Sequence, residues 1–231
     1  MLASKNTPAQ ALNKSLAILP IVKDKIQKLE TELNNFLSHL NHGESEEHNK
    51  NLIADLLKNI GFAPEYFVNT KGRNDLVIHT GKDSNSPVGV IIEAKSLVNK
   101  AEMPSQEKLN SKALQELVLY FLRERITAKN LNLKHLVITN GLEWFVFDAQ
   151  VFEKCFGQKK ALVKEFEDFE NKLLSGKDTS FFYKEIAQKY ILESKNELEF
   201  TFFNLTEYEI GLNRQTDQAP SKKLITLAKY L

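Results

Sequence analysis

Two acidic residues and a lysine in the first half of the chain have the types and spacing of a hydrolytic metal site. Asp75 begins one apolar, β-branched run, Glu93 and Lys95 end another, and a polar stretch from Gly81 to Pro87 separates the two runs. Such a pattern predicts a β-hairpin with a long turn. Because Glu93 and Lys95 are two residues apart on one strand, their side chains leave the same face of the sheet.

The predicted pairing of this hairpin brings the three charged groups together. Residues equidistant from the turn face each other in an antiparallel pair, so a turn centred between Ser84 and Asn85 places Asp75 opposite Ala94. Asp75 then lies beside the two charged neighbours of Ala94. Buried charge is costly unless it is paired or binds a metal, so this clustering points to a functional site.

The chemistry open to this group is metal-assisted hydrolysis. Two carboxylates within hydrogen-bonding range of each other offer hard oxygen ligands for Mg²⁺, which completes its shell with water and substrate phosphate. A nearby ammonium group can orient or help to deprotonate the attacking water, and it can offset charge that develops on the phosphate. The competing interpretation is a surface hairpin with an ordinary cross-strand pair of Glu and Lys.

The same residues resemble the signature of the PD-(D/E)xK nuclease superfamily. Asn74-Asp75 stands in place of Pro-Asp, and Glu93-Ala94-Lys95 forms the second half of the motif. The resemblance implies that Asp75, Glu93 and the carbonyl group of Ala94 hold one or two Mg²⁺ ions, for which Mn²⁺ can substitute. It also implies that Lys95 positions or activates water for in-line attack on phosphorus, which leaves a 5′-phosphate end.

Composition limits the classes of protein to consider. The chain has 231 residues, 42% hydrophobic and 26% charged, which describes an ordinary globular protein with a substantial core. Its formal net charge of +1 gives no global basic field, so any grip on DNA is local or is supplied by another module. Cys155 is the single cysteine, which excludes an internal disulfide and a cysteine zinc cluster. No run is apolar enough for a membrane span or a signal peptide, so a cytoplasmic location is expected.

Two amphipathic helices are predicted before the hairpin. Apolar residues recur at three- and four-residue spacing from Val22 to Leu40 and predict a helix of about 20 residues. We expect this helix to dock on its own domain, the alternative being a partner or coiled-coil helix. A second helix begins near Glu44 and carries apolar side chains inward as far as Ile60.

Two glutamates at the start of the second helix are candidate site residues. Many PD-(D/E)xK nucleases place an auxiliary glutamate on the helix that precedes the catalytic hairpin. Helical projection puts Glu46 near the apolar stripe and Glu47 near the opposite face, so Glu46 is the first candidate and Glu47 the second. Acidic residues also favour a helix N-terminus for dipole reasons alone.

A long helix with a basic face is predicted after the hairpin, from about Gln106 to Lys129. Lys112 on this face, together with Lys71 and Arg73, is predicted to contact DNA phosphate groups, although a basic helix face is often simply solvated.

Within this helix, Gln115 and Tyr120 resemble the Gln-x-x-x-Tyr element of nucleases related to RecB and to type I restriction subunits. The register departs by one residue, since Tyr120 is five positions after Gln115. Gln115 is the predicted active-site or backbone-contacting group.

The second half of the chain continues the alternation of strands and helices. A strand ends at Thr139-Asn140-Gly141, an aromatic strand with Trp144 follows, and another strand spans Leu198 to Leu205. We expect Trp144 to pack in the core rather than to stack on DNA. The predicted fold is α/β (α+β), with a restriction-endonuclease-like core, a central mixed β-sheet flanked by helices and an N-terminal helical extension.

A longer resemblance covers most of residues 8–210. A resemblance to the N-terminal nuclease region of bacterial type IIG restriction-modification enzymes extends over the run from Glu44 through the hairpin, Asn99-Lys-Ala-Glu-Met, the segments around Lys112 and Thr139, and Phe181-Phe-Tyr-Lys-Glu-Ile. This implies an Mg²⁺-dependent site-specific deoxyribonuclease that acts on double-stranded DNA in bacterial defence. It also implies methyltransferase and target-recognition domains downstream in the same full-length chain, where S-adenosylmethionine would bind. A DNA-dependent dimer is expected, because cutting both strands usually needs two active sites.

The expected division of the chain follows from these patterns. Residues 1–42 form an N-terminal helical extension packed on the domain, residues 43–210 form the nuclease domain, and residues 211–231 are a linker and the start of a following, truncated element. Two alternatives stay open. One is a catalytically silent nuclease-fold module for DNA binding or assembly, and the other is the nuclease region of a type I restriction subunit.

Overall fold

A seven-stranded β-sheet forms the centre of the molecule. The structure, a computed structural model, describes residues 4–71, 74–208 and 220–231, and at positions 74 and 75 it describes the backbone alone. The strands are β1 (Lys5–Asn6), β2 (Val68–Lys71), β3 (Asn74–His79), β4 (Val88–Ala94), β5 (His135–Thr139), β6 (Glu143–Asp148) and β7 (Phe200–Asn204).

Helices lie before, between and after these strands. They are α1 (Pro8–Ala11), α2 (Lys14–Ile18), α3 (Lys23–His39), α4 (Glu46–Leu57), α5 (Lys112–Leu122), α6 (Ala149–Phe152), α7 (Lys160–Glu170), α8 (Thr179–Phe181), α9 (Gln188–Ser194) and α10 (Lys222–Tyr230). Wider π-helical turns continue α4, α5, α6 and α8, over Lys58–Phe62, Arg123–Thr127, Glu153–Gly157 and Phe182–Ala187. In the described residues, no helix combines the length and the apolar character needed to cross a membrane.

The strand order β1-β7-β6-β5-β4-β3-β2 makes the sheet mixed. β4 pairs with β5 in parallel and β1 pairs with β7 in parallel, while the other neighbours are antiparallel. A parallel pair needs a crossover connection, and α5 supplies it between β4 and β5. The expected α/β class with a central mixed sheet flanked by helices is therefore confirmed.

Alternation along the strands separates two cores. Val77 and Ile91 belong to the core that also holds α5 to α9, whereas Leu76 and Ile92 belong to the core that holds α3, α4 and α10. Fully buried phenylalanines fill much of the first core. Both faces of the central strands are covered, so a charged side chain at their ends is removed from water unless it reaches the edge of the sheet.

The predicted helix from Val22 to Leu40 is confirmed as α3. Its buried side chains recur at helical spacing and pack in the second core: Ile26, Leu29, Leu33 and Phe36. Helix α10 packs in the same core through the fully buried Leu224 and Leu227. The predicted domain boundaries stay predictions, and residues 211–219 of the expected linker lie outside the described residues.

The hairpin is present, but its predicted register was wrong by one residue. Leu76 pairs with Ile92, so continuing the ladder places position 75 opposite position 93 rather than opposite Ala94. The pairing shifts between Ile78 and His79, and this irregularity moves the centre of the turn.

The predicted start of the long helix at Gln106 was also wrong. Helix α5 begins at Lys112, where the side chain of Ser111 accepts a hydrogen bond from the backbone N–H of Leu114 at 3.3 Å. Residues 96–111 therefore form a long connector between β4 and α5.

Trp144 packs in the core, as predicted. Its ring stacks on Phe203 with centroids 5.8 Å apart, and its Nε1 donates a hydrogen bond to the carbonyl of Gly141 at 3.0 Å. Gly141 has φ of 93°, a conformation that glycine adopts readily, and the turn between β5 and β6 requires it.

Candidate active site

Lys95 is buried among carboxylates at the end of β4. Its Nζ lies 2.5 Å from Oε1 of Glu93, 2.6 Å from Oε2 of Glu116 and 3.8 Å from Oε2 of Glu102. Lys112 closes the group, with its Nζ 3.0 Å from Oε1 of Glu102 and 3.9 Å from Oε1 of Glu116. We call these five residues, Glu93, Lys95, Glu102, Lys112 and Glu116, the Lys95 cluster.

The sheet fixes the first two members of the cluster. Glu93 follows Ile91 on the face of β4 that α5 covers, and only 2% of its side chain is exposed. The backbone N–H of Lys95 donates to the carbonyl of Thr139 at 2.8 Å, which extends the β4–β5 ladder beyond Ala94. Lys95 is thus held by backbone pairing as well as by its ion pairs.

Helix α5 and the connector supply the other members. Glu116 lies in the second turn of α5, and 11% of its side chain is exposed. The carbonyl of Glu102 accepts a hydrogen bond from the backbone N–H of Ala113 at 3.1 Å, so the connector is tied to the start of the helix. The cluster therefore joins one strand, one helix and the loop between them.

Electrostatics in the cluster keep Lys95 charged. Burial alone would lower its pKa, but the carboxylates of Glu93 and Glu116 outweigh this and raise the pKa of Lys95 well above its usual value. Burial raises the pKa of Glu102, but hydrogen bonds from Lys112 and Asn99 outweigh that effect and lower it. Lys95 is thus an ammonium group at neutral pH and a hydrogen-bond donor only.

Asp75 is placed by its backbone in β3. Continuing the ladder beyond the pair of Leu76 and Ile92 puts position 75 opposite position 93. The side chain of Asp75 and the whole of Arg73 lie outside the described residues. Their predicted roles in metal and DNA binding stay predictions.

The two glutamates predicted as auxiliary ligands lie at the exposed start of α4. Glu47 pairs with Lys50 on its own helix, and no polar contact of Glu46 occurs within the described residues. Helix α4 packs in the core on the face of the sheet opposite to Glu93. The structure therefore does not bring either glutamate into contact with the Lys95 cluster.

The remaining predicted residues lie on or near α5. Gln115 is buried and its Nε2 donates to Oδ1 of Asn110 at 2.8 Å, which stabilises the end of the connector. Lys112 belongs to the Lys95 cluster, and Lys71 pairs with Glu124 at 2.8 Å. Both lysines keep more than two-fifths of their side chains exposed, at 47% and 43%. Ala94 is fully buried at the end of β4.

Glu116 and Glu102 are the residues that sequence reasoning missed. Glu116, not Gln115, is four positions before Tyr120 and therefore has the spacing of the Gln-x-x-x-Tyr element. Reading that element from Tyr120 backwards would have found Glu116. Glu102 lies in the Asn99-Lys-Ala-Glu-Met segment of the longer resemblance, but the resemblance gave it no role, and it belongs to an irregular connector.

The donor set of the cluster suits a hard cation. Carboxylate oxygens of Glu93 and Glu116 both approach the buried positive charge of Lys95, and carboxylates are the ligands that Mg²⁺ prefers. Among the described side chains, no three His, Cys, Asp or Glu residues are arranged to hold a metal ion. Asp75, the predicted third oxygen donor, falls outside that set.

Comparison with known protein families matches nearly the whole chain. A family model described as a domain of unknown function, DUF7149, matches residues 6–231. No curated protein and no solved structure matches the chain. Because the family model covers all but the first five residues, the chain belongs to the DUF7149 family.

Proposed function

We propose that this chain is an Mg²⁺-dependent endonuclease domain that hydrolyses phosphodiester bonds in double-stranded DNA. The observation that carries the proposal is the burial of the Lys95 ammonium group between the Glu93 and Glu116 carboxylates at the end of β4. On the neighbouring strand β3, the backbone of position 75 lies opposite Glu93. This is the neighbourhood that the PD-(D/E)xK resemblance requires of its motif residues.

The order of elements supports the same proposal. Helix α4, the β2-β3-β4 meander, α5 and the parallel strand β5 follow one another along the chain. We expect this unit to be a restriction-endonuclease-like core of the type IIG class. Methyltransferase and target-recognition domains in the same full-length chain are part of the proposal.

The residues have separate roles in the proposed reaction. Glu93, Asp75 and the Ala94 carbonyl are the groups that would hold Mg²⁺, which supplies Lewis acidity and a more acidic water ligand when bound. Lys95 stays protonated, so it orients water or a phosphate oxygen by donating hydrogen bonds and does not act as the base. Glu116 directs the Lys95 ammonium group from α5.

Metal-dependent cleavage of supercoiled plasmid tests the proposal. Wild type is expected to nick or linearise the plasmid with Mg²⁺ or Mn²⁺ and to be inactive with EDTA. Lys95→Ala and Glu93→Gln should each lose about 100-fold or more in rate, as expected for groups that stabilise a transition state directly. Lys164→Ala, at an exposed position on α7, should match wild type. Equal cleavage by Lys95→Ala and wild type would contradict the assignment of the site.

A silent nuclease-fold module for DNA binding or assembly is the second candidate, and one property of the cluster is the reason to test it. Each described carboxylate of the cluster already lies near a lysine of the same domain, as in a purely structural ion-pair network. Thermal melting distinguishes the active nuclease from the silent module. Mn²⁺ should raise the melting temperature of an active domain and leave that of Asp75→Ala unchanged, whereas a silent module would show no Mn²⁺ effect in either protein.

A further inference from the structure

A cleft of about 910 Å³ opens beside the Lys95 cluster. It lies where β5 ends, β6 begins and β7 ends, and residues of the connector form one wall. Its lining includes the cations Lys5 and Lys100 and the amides Gln106 and Asn140. Phe202 contributes to an apolar floor.

Two links join this cleft to the cluster. Ala94 pairs with Thr139 in the parallel ladder, so Lys95 and Asn140 are the next residues on neighbouring strands, which run about 4.8 Å apart. The connector supplies the second link, because Met103 lines the cleft and the adjacent Glu102 contacts Lys95. A polymer bound at the cluster would therefore extend directly into the cleft.

The charges of the cleft leave its cations available. Lys5 and Lys100 are exposed, and within the described residues neither lies within ion-pair distance of a carboxylate. Lys5 instead donates to Oε1 of Gln106 at 2.8 Å, and its Nζ lies 4.7 Å from the centre of the Phe202 ring.

Two acidic residues also line the cleft. Oε2 of Glu143 accepts a hydrogen bond from the neutral amide Nδ2 of Asn140 at 3.3 Å. Glu107 is exposed, and no polar contact of its side chain occurs within the described residues. The negative charge of Glu107 would repel a polyanion. Replacing Glu107 with a lysine should therefore change the affinity for a polyanion in the opposite direction to replacing Lys5 or Lys100 with a glutamate.

We propose that the cleft holds the DNA strand that flanks the scissile phosphate, with Lys5 and Lys100 in contact with its phosphate groups. This inference rests on the proposed nuclease function and adds the path of the substrate. Lysines and side-chain amides are the groups that contact phosphate and sugar without reading sequence. The small net charge of the chain is then compatible with DNA binding, because the contacts are local.

Fluorescence anisotropy with a labelled DNA duplex in EDTA measures the contact without cleavage. Lys5→Glu and Lys100→Glu should each weaken binding about tenfold, and Lys100→Ala should lower the slope of log affinity against log salt by about 1. Glu107→Lys should instead tighten binding several-fold. Lys164→Glu on α7 is the matched control and should bind as wild type does. Opposite effects of charge reversals within one cleft are not produced by misfolding, and equal melting temperatures would verify this.

The outcomes distinguish the proposed DNA contacts of the cleft from the proposed nuclease activity. Plasmid cleavage by wild type together with unchanged affinity in all cleft variants would overturn the cleft and leave the nuclease standing. Weaker binding by Lys5→Glu and Lys100→Glu in a protein that never cleaves would support the cleft and contradict the nuclease. A wild type that does not bind the duplex at all would overturn the cleft outright.

Discussion

Lys95 carries a buried charge whose desolvation lowers stability unless neighbouring carboxylates compensate it. Its ammonium group is nearly inaccessible to water, with 4% of the side chain exposed, and is compensated by Glu93 and Glu116. Removing one member of a buried pair typically costs about 3–5 kcal/mol, because the remaining charge stays buried and uncompensated. Such a lysine ties protein stability to the charge state of a single group.

The charge of Lys95 predicts a loss of stability in alkali. Its pKa in the folded chain is raised above that of the unfolded chain, so the native state binds more protons at high pH. Stability from this group is full below about pH 10 and is lost as the pH rises toward the folded pKa. We expect the difference in unfolding free energy between wild type and Lys95→Met to stay constant up to about pH 10 and to shrink as the pH rises above it in urea titrations. Parallel curves would show that the ion pairs do not stabilise the fold.

Sequence patterns predicted the motif better than its partners. Glu93 and Lys95 could be identified from the sequence because they are two charged residues at the end of an apolar run. Charged residues in that position lie either at the end of a strand or in a functional site. Glu116 was missed because it lies in a helix in which almost every side chain is buried, so helical projection gave it no distinct face. Its role depends on how α5 lies across β4, which is a long-range contact.

At the scale of elements, α5 is fixed by its first turn. Its N-cap Ser111 stands between the connector, which carries Glu102, and the helix, which carries Glu116. Helix α10 has the same cap chemistry, with Ser221 accepting from the backbone N–H of Leu224 at 3.2 Å. The two helices therefore offer a matched pair of substitutions.

Ser111→Ala and Ser221→Ala should each lower the free energy of unfolding by about 1 kcal/mol, since each removes one helix cap. Only Ser111→Ala should also reduce the plasmid-cleavage rate, because it loosens the helix that holds Glu116 against Lys95. Urea unfolding and initial rates of nicking measure the two effects. A rate loss of equal size in Ser221→Ala would mean that the effect is general instability and not positioning.

The elements also show where local patterns stop being informative. Apolar spacing defined α3 well, since its buried face repeats every three or four residues. The hairpin was expected with a symmetrical turn, and a shift between Ile78 and His79 changed its register. Nothing in the sequence near Lys5 indicates that it pairs with Phe200, because that parallel contact joins the first described strand along the chain to the last.

At the scale of the whole molecule, α10 belongs to the body of the domain. Leu227 is fully buried in the core shared with α3, and the ring of Tyr230 lies 6.1 Å from that of Phe203 on β7. Lys229 also donates to the carbonyl of Ala17 at 2.6 Å. The segment that was expected to begin a following element thus supports the sheet.

Leu227→Ala should therefore lower the unfolding free energy by about 2–5 kcal/mol, the usual cost of truncating a fully buried leucine. Leu192→Ala, with the leucine 50% exposed on α9, serves as the control and should cost much less. Chemical denaturation followed by circular dichroism measures both variants, and one cooperative transition is expected. If Leu227→Ala left the stability of the domain unchanged, residues 222–230 would have to be a separate unit.

Trp144 gives this fold an optical probe in a useful place. It is the chain's single tryptophan, it is buried against Phe203, and it lies near the start of β6, next in sequence to Glu143 of the cleft. Indole emission depends on the polarity and motion of its surroundings, so the intrinsic fluorescence of the protein reports on that end of the sheet alone. Its emission therefore offers a signal, without an attached dye, for testing the proposed binding of DNA and metal and for following local loosening of the adjacent turn.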